Sequence, residues 1–491
     1  MKILRTVSGT LGCWKSFFGA LLFCAITAMS SHAQTWTTLA DFNGTNGSSP
    51  LGLIQGFDGN FYGTTLQGGA QNYGTAFKMT PAGILTTLHS FCATGTCLDG
   101  YWPEGRLIQA SNGDFYGPTD YGGANGAGLI YRITGAGEFS VLYNFLCTGS
   151  CTDGITPTSV IQARNGNLYG TTYGWRDDYP NGGTVFELSL AGTLTPLHAF
   201  TGPDGANPVG LLQASNGNFY GSASEGGSPT NCPANNLPGC GTVFQITPSG
   251  TLMTVHSFKG YDGAFPGIYG ALIEGADGNL YGTAGQGGSA EGGTIFKIGP
   301  GGKFTTLYNF CSQMNCADGS NPAGSMVQGS DGNIYGITVI GGNSIGAGTI
   351  FKITPQGVFT TLYDFCSQQN CADGWNPEAG LIQSTDGNFY GTATGGGGPS
   401  GSGTIFRFSV GLGPFVRLLW KFGKVGQTEG ILGQGLKGTT GVLVNGTPAS
   451  FTVVSDTIIR ATIPSGATTG YITVQTPGGT LKSNMPFRVV P

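Results

Sequence analysis

Along most of the chain, apolar and aromatic runs of four to eight residues alternate with glycine-rich turns. No stretch of the repeating region shows the three- and four-residue apolar spacing of a surface helix, so the pattern predicts strands. The clearest copy of the recurring unit runs from Asp386 to Phe406, DGNFYGTATGGGGPSGSGTIF: a turn, an aromatic strand, a glycine-rich loop and a second strand. The tyrosine of this core recurs at Tyr62, Tyr116, Tyr169, Tyr220, Tyr281, Tyr335 and Tyr390, at gaps of 54, 53, 51, 61, 54 and 55 residues. Each unit holds four runs of strand chemistry. In the unit beginning near Pro322 they are Ser325–Gln328, Asn333–Thr338, Gly348–Thr354 and Thr360–Phe365. Four strands in about 54 residues, repeated seven times, predict an all-β, seven-bladed β-propeller.

The segment Thr35–Phe42, TWTTLADF, resembles the fourth strand of later units, such as TTLYDF at Thr360–Phe365. The seventh unit supplies only three strands, ending at Phe408. Thr35–Phe42 is therefore expected to complete that last blade, which would leave no open sheet edge to aggregate. Short Asx-Gly turns (Asp58–Asn60, Asn165–Asn167, Asp331–Asn333) and Thr-Pro-x-Gly turns (Thr80–Gly83, Thr247–Gly250, Thr354–Gly357) fall on one face. The opposite face carries the longer, variable loops and is the better candidate for binding. After Gly411 the period ends. Runs at Gly441–Val444, Ser450–Val454, Ile458–Ile463 and Tyr471–Thr476 predict an immunoglobulin-like sandwich over residues 411–491, after a propeller over 34–410.

Charge and cysteine content set the compartment. Lys2, Arg5 and Lys15 precede an apolar run from Phe17 to Met29 and the segment Ser31-His32-Ala33, which predicts a signal peptide over 1–33, cleaved before Gln34. Thirteen apolar residues are too few to span a bilayer, so the mature chain is expected outside the cytoplasm with no membrane span. Removing those three cations takes the net charge from −5 to about −8, and no basic stripe remains to engage nucleic acid. Ten cysteines remain, in five close pairs: Cys92/Cys97, Cys147/Cys151, Cys232/Cys240, Cys311/Cys316 and Cys366/Cys371. An even count in local pairs in an exported chain reads as disulfides. Zinc, which needs four converging ligands, is the rival reading.

Several repeated features invite a functional reading that turn chemistry already explains. The Asp-Gly-Asn turns lack the dozen-residue ligand spacing of a calcium loop. The Asp-Gly-x-x-Pro segments (Asp204–Pro208, Asp318–Pro322, Asp373–Pro377) lead into the inner strand, where Asp caps the turn, although a ring of them could bind an ion. His89, His198 and His256 stand where other units place Tyr143, Tyr308 or Tyr363, which points to a packing or surface role. Departures from the repeat are more informative. The loop Tyr173-Gly174-Trp175-Arg176-Asp177-Asp178-Tyr179 concentrates aromatics, a cation and two carboxylates, and Tyr101, Trp102, Tyr261, Phe265 and Trp375 share its face. Exposed aromatics flanked by polar groups suit sugar rings; the alternative is that they pack the loops onto the blade tops.

The DGNFYGTT…GG…GTIFK-T-P-x-G…TTL-x-x-F period resembles the Gloeo_Verruco (GloVer) tandem repeat, over roughly Thr35 to Phe408. GKVGQTEGILGQGL at Gly423–Leu436 and VLVNGTPASFTVVSDTIIRATIPSGATTGYITVQTP at Val442–Pro477 look like an IPT/TIG domain. The resemblance implies bacterial extracellular or surface-associated proteins and no catalytic set. The expected function is a secreted or cell-surface binding or adhesion protein, a monomer without cofactor or metal, whose partner is a glycan or a surface protein. Two alternatives stand beside it: a polysaccharide-degrading hydrolase or lyase, and a structural spacer of the envelope. A glycosidase needs two carboxylates facing one cleft. Asp177 and Asp178 share one loop and supply at most one of them, with Glu104, Glu225, Glu291 and Glu378 as possible seconds.

Overall fold

A computed structural model describes residues 34–146, 151–174, 182–228, 232, 239–267 and 270–490. These residues form antiparallel sheets joined by turns, with helical geometry confined to the single turns Met314–Cys316 and Gln369–Cys371. No helix among them is long and apolar enough to cross a membrane. The sixth repeat shows the plan. Strands Ser320–Gln328, Ile334–Ile340, Thr349–Ile353 and Phe359–Asp364 pair in sequence order, inner to outer. Seven sheets of this kind follow the repeats. Their inner strands end on Gln55, Gln109, Gln162, Gln213, Glu274, Gln328 and Gln383. Six of the seven FYG-core tyrosines are buried, and Tyr220 is partly buried. The glycine after each tyrosine allows close approach: a Cβ there would sit 2.4–2.7 Å from the aromatic side chain of the third strand, as at Gly336 and Phe351.

The last sheet is completed by the first segment. Thr35–Asp41 pairs antiparallel with Thr404–Ser409, from Thr35 opposite Ser409 to Asp41 opposite Thr404. Successive sheets are also latched twice. On one face, the backbone N–H two residues past the inner-strand Gln or Glu donates to the side-chain Gln amide oxygen or Glu carboxylate of the next sheet, at 2.7–3.1 Å. Thr385 N–H to Gln55 carries the series from the seventh sheet back to the first. Glutamine suits the position because its amide also donates, here to the carbonyl of its own hairpin turn, as Gln109 does to Gly113. Glu274 lacks that donor, and Ser215 supplies its hydroxyl to the carboxylate instead.

On the opposite face, the second x of each Asx-Gly-x-x-Pro or equivalent segment donates its N–H to a carbonyl of the preceding sheet at 2.7–3.1 Å. Ser49, Trp102, Thr156, Asn207, Phe265, Asn321 and Asn376 all hold this place with φ of 49–56°. Left-handed backbone costs an L-residue roughly 1–2 kcal/mol, most for a β-branched one, and asparagine tolerates it. Three of the seven sites carry Asn. Thr156→Asn is therefore expected to stabilise the protein by about 0.5–1 kcal/mol in denaturant unfolding; an unchanged or lower midpoint would show that this backbone carries no strain at Thr156.

The repeated histidines and tyrosines of the fourth strands find their purpose in the same region. His89, Tyr143, His198, His256, Tyr308 and Tyr363 bond Asp99, Asp153, Asp204, Asp262, Asp318 and Asp373 at 2.7–2.9 Å. The same carboxylates accept backbone N–H groups of the turn, such as Thr201 and Lys259. Burial works against the charged form of Asp204 and Asp262, yet the histidine and turn amides hold both below the ordinary carboxylate range. These aspartates thus act as caps of the turns. Disulfides link Cys92–Cys97, Cys232–Cys240, Cys311–Cys316 and Cys366–Cys371. Cys151 is also disulfide-bonded, and Cys147 lies outside the described residues.

Beyond Ser409 the chain builds two further sheets. One orders Arg417–Leu418, Thr428–Leu432, Ile458–Thr462 and Phe451–Val453; the other contains Gly441–Val444, Gly470–Thr476 and Gly479–Val489. They enclose a core that includes Val416, Ile431, Val442, Ile459, Ile472 and Phe487. The first residues of this region cross the glutamine-latched face. Phe415 N–H bonds Thr385, Arg417 bonds the Gln55 carbonyl and Lys421 bonds the Glu274 carbonyl, so the segment reaches from the first and seventh sheets to the fifth. Burial pushes the Arg417 guanidinium down to about 10 and lowers Lys421 as well. Arg164 of the third sheet meets Glu429 at 3.1 Å, and this carboxylate is wholly buried.

Candidate functional site

The inner strands leave a cavity of about 250 Å³, lined by residues of all seven sheets. Its bore is set by the position three residues before each inner-strand Gln or Glu. Gly52, Ser159, Gly210, Ala271, Ser325 and Gly380 stand there in six sheets, and Arg106 in the second. Leu51, Ile54, Leu107, Val160 and Leu211 make much of the wall apolar, and Tyr173 joins it from the end of Leu168–Tyr173.

At the capped-turn end, the second sheet departs furthest from the repeat. Asp120 follows the strand Phe115–Thr119 and is buried at 6% exposure. Its carboxyl is pushed well above the usual range by burial, then by the hydrogen bond and charge of Glu104. Both residues are fixed by one atom, since Glu104 N–H and Asp120 N–H each donate to the Trp102 carbonyl, at 2.8 and 3.1 Å. Glu378 of the seventh sheet is raised too, by burial and by the Glu104 charge. Deeper in, Arg106 donates to the Leu53 carbonyl at 3.1 Å, and burial lowers its pKa.

An aromatic group shares this backbone. Tyr101 lies 5.2 Å from Tyr73, 5.5 Å from Trp102 and 5.6 Å from Tyr121, while Trp102 and Tyr121 meet edge to face at 5.7 Å. Trp102 and Tyr121 each remain 39% exposed, so the group packs on itself and still presents rings to solvent. Trp375 occupies the neighbouring place in the seventh sheet, 41% exposed, its indole resting on Gly395.

The sequence-derived candidates thus separate. Glu104 and Tyr173 line the cavity, Trp102 accepts the Glu104 N–H and packs on Tyr101, and the Glu104 charge raises Glu378. Glu225 and Glu291 lie elsewhere, in the strand Phe219–Glu225 and in a loop at φ 62°. Trp175, Arg176, Asp177, Asp178 and Tyr179 lie outside the described residues. Asp120 and Arg106 escaped the sequence reading. Arg106 carried a usable signal, as the one long side chain at a register position otherwise held by Gly, Ala or Ser. No cluster of three or more His, Cys, Asp or Glu suited to a metal ion occurs among the described residues.

The family model described as the Gloeobacter/Verrucomicrobia repeat matches residues 23–234, 181–372 and 311–483. No curated protein sequence matches the chain. Among solved structures, it is similar to a fungal alcohol oxidase of the AA5 family in complex with copper: 13% identity, TM-score 0.50, covering 93% of this chain and 99% of that one. It is also similar to the extracellular domain of a putative hybrid two component system from B. thetaiotaomicron, at 13% identity and TM-score 0.46, over 91% of this chain and 53% of that one. A third is PorZ, a surface component of the type-IX secretion system of Porphyromonas gingivalis, at 13% identity and TM-score 0.46, over 92% and 60%. At these identities the likeness bears on fold alone, which is all-β and propeller-like.

Proposed function

From the premise that the chain belongs to the Gloeobacter/Verrucomicrobia repeat family, we propose that it is an exported binding protein that holds carbohydrate at the mouth of its channel. In this reading residues 34–410 are a seven-bladed β-propeller, residues 411–491 an immunoglobulin-like IPT/TIG domain, and residues 1–33 a cleaved leader. The disulfides support an oxidising compartment. One observation carries the ligand class: the partly exposed Tyr73–Tyr101–Trp102–Tyr121 group and the cavity-lining Glu104–Asp120 pair are anchored on the same Trp102 carbonyl. Aromatic faces stack on the C–H side of a sugar ring, and carboxyls bond its hydroxyls.

The hydrolase reading is the weaker one. Glycosidase carboxyls stand about 5 Å or more apart with the sugar between them, whereas Glu104 and Asp120 hydrogen-bond each other. A glycan array with product analysis tests both readings. The secreted protein is expected to bind at micromolar to millimolar concentration without turnover. Trp102→Asn, which places a residue already used at Asn207, Asn321 and Asn376 into the same left-handed backbone, is expected to weaken binding about tenfold or more. Full binding by that variant would remove the aromatic rim from the site, and released products would favour the enzyme.

A further inference from the structure

Resting on the glycan reading above, we propose that the ligand is an acidic saccharide and that Arg106 binds the carboxylate of its uronic acid residue inside the channel. The repeat itself isolates this residue. Six sheets place Gly, Ala or Ser at the bore-facing position, and only the second places a long cation there. Nothing in the sheet architecture asks for it, because six equivalent positions are built without one. A guanidinium out of bulk water is costly unless paired. Arg106 has no carboxylate within 4.0 Å among the described residues, and of its five N–H donors it spends one on the Leu53 carbonyl. The rest of the planar fork is left to the cavity.

The neighbouring sheet holds that fork in place. A Cβ on Gly52 would stand 2.8 Å from the Arg106 Nε and 2.9 Å from its Cγ, so the side chain lies across a position that must stay bare. A carboxylate is the complement of such a fork, accepting two parallel N–H bonds. The carboxyls at the mouth do not bar an anion. Asp120 keeps its proton well above the usual carboxylate range, through burial and the nearby Glu104, so that carboxyl adds no negative charge against an incoming anion. The sugar ring would then rest on the aromatic group, its hydroxyls on the carboxyl pair and its carboxylate on Arg106.

The test is calorimetry on the full secreted chain with oligomers of galacturonic, glucuronic and mannuronic acid, each beside its neutral hexose counterpart. The variant is Arg106→Ser, the residue that Ser159 and Ser325 already supply in other sheets, with its unfolding midpoint checked against the parent. The parent is expected to favour at least one uronate over its neutral counterpart by about tenfold or more. Arg106→Ser should abolish that preference, bringing each uronate and its neutral counterpart to equal affinity. Equal affinity for acidic and neutral probes, or a preference that survives in Arg106→Ser, would overturn the Arg106 assignment while the glycan reading stands. Absence of binding across the whole panel would overturn both.

Discussion

Trp36→Ala is expected to cost about 3 kcal/mol of stability and to shift the protein toward aggregates on size exclusion. Trp36 lies on the segment that completes the seventh sheet. Its ring stacks on Tyr363 of the sixth sheet at 4.2 Å and 8°, and on Phe406 of the seventh at 4.4 Å. Phe365 meets its edge at 5.3 Å. One side chain thus ties the first segment to two sheets more than 300 residues later in sequence. Removing it deletes these aromatic contacts, each worth about 0.5–1.5 kcal/mol beyond area burial, and leaves a hole between them. Loosening of Thr35–Asp41 then bares the backbone of Thr404–Ser409. Trp36→Phe should retain most of the stability. A loss below about 1 kcal/mol for Trp36→Ala would mean that backbone pairing alone holds this junction.

The second large effect is pH-dependent. Arg164→Ala is expected to cost about 3–5 kcal/mol at pH 8 and much less at pH 5. The Arg164 guanidinium bonds Glu429 and Gln427, each at 3.1 Å, and lies over the rings of Trp420 and Phe422. Burial raises the Glu429 carboxyl to about 7, against the opposing pull of the Trp420 N–H and of Arg164. A folded-state pKa above the unfolded one means that protonation favours the folded form; this contribution is complete below about 4.5 and is lost as pH rises through about 7. Without Arg164 the carboxyl moves higher still. At pH 5 it is neutral with or without the cation, so the variant forfeits only hydrogen bonds and ring contacts. At pH 8 it must bury an unpaired charge. Glu429→Gln should flatten the dependence. A gap between parent and Arg164→Ala that stays constant from pH 5 to 8 would show that Glu429 does not titrate in this range.

The sheets were legible because a period of about 54 residues multiplies each weak strand signal by seven. Strand positions in the sixth repeat fall within a few residues of expectation, although its inner strand starts at Ser320 rather than Ser325. The completing segment Thr35–Asp41 was readable for the same reason, since it copies the outer strands. What the repeat could not reveal is contact between sheets. The inner-strand glutamines look like ordinary polar strand ends, and only coordinates show each accepting from its neighbour. Glu104 and Asp120 are sixteen residues apart, outside the strands Ile108–Gln109 and Phe115–Thr119, and nothing in their spacing marks them as partners. The docking of Arg164 against Glu429, 265 residues away, depends on how the last two sheets seat, which no local pattern encodes.

The segment from Phe415 to Lys421 crosses the glutamine-latched face, fastened to the first, fifth and seventh sheets. With that strap fastened over the latched end, a ligand would enter from the opposite end, where Glu104 and Asp120 line the cavity, and a long polymer could not be threaded through. If the proposed carbohydrate binding holds, a free terminus or a protruding branch would fit such a socket, and capacity for a polysaccharide would follow the number of chain ends rather than the mass of material. Trimming a polymer into shorter pieces would then multiply the places where this protein could dock.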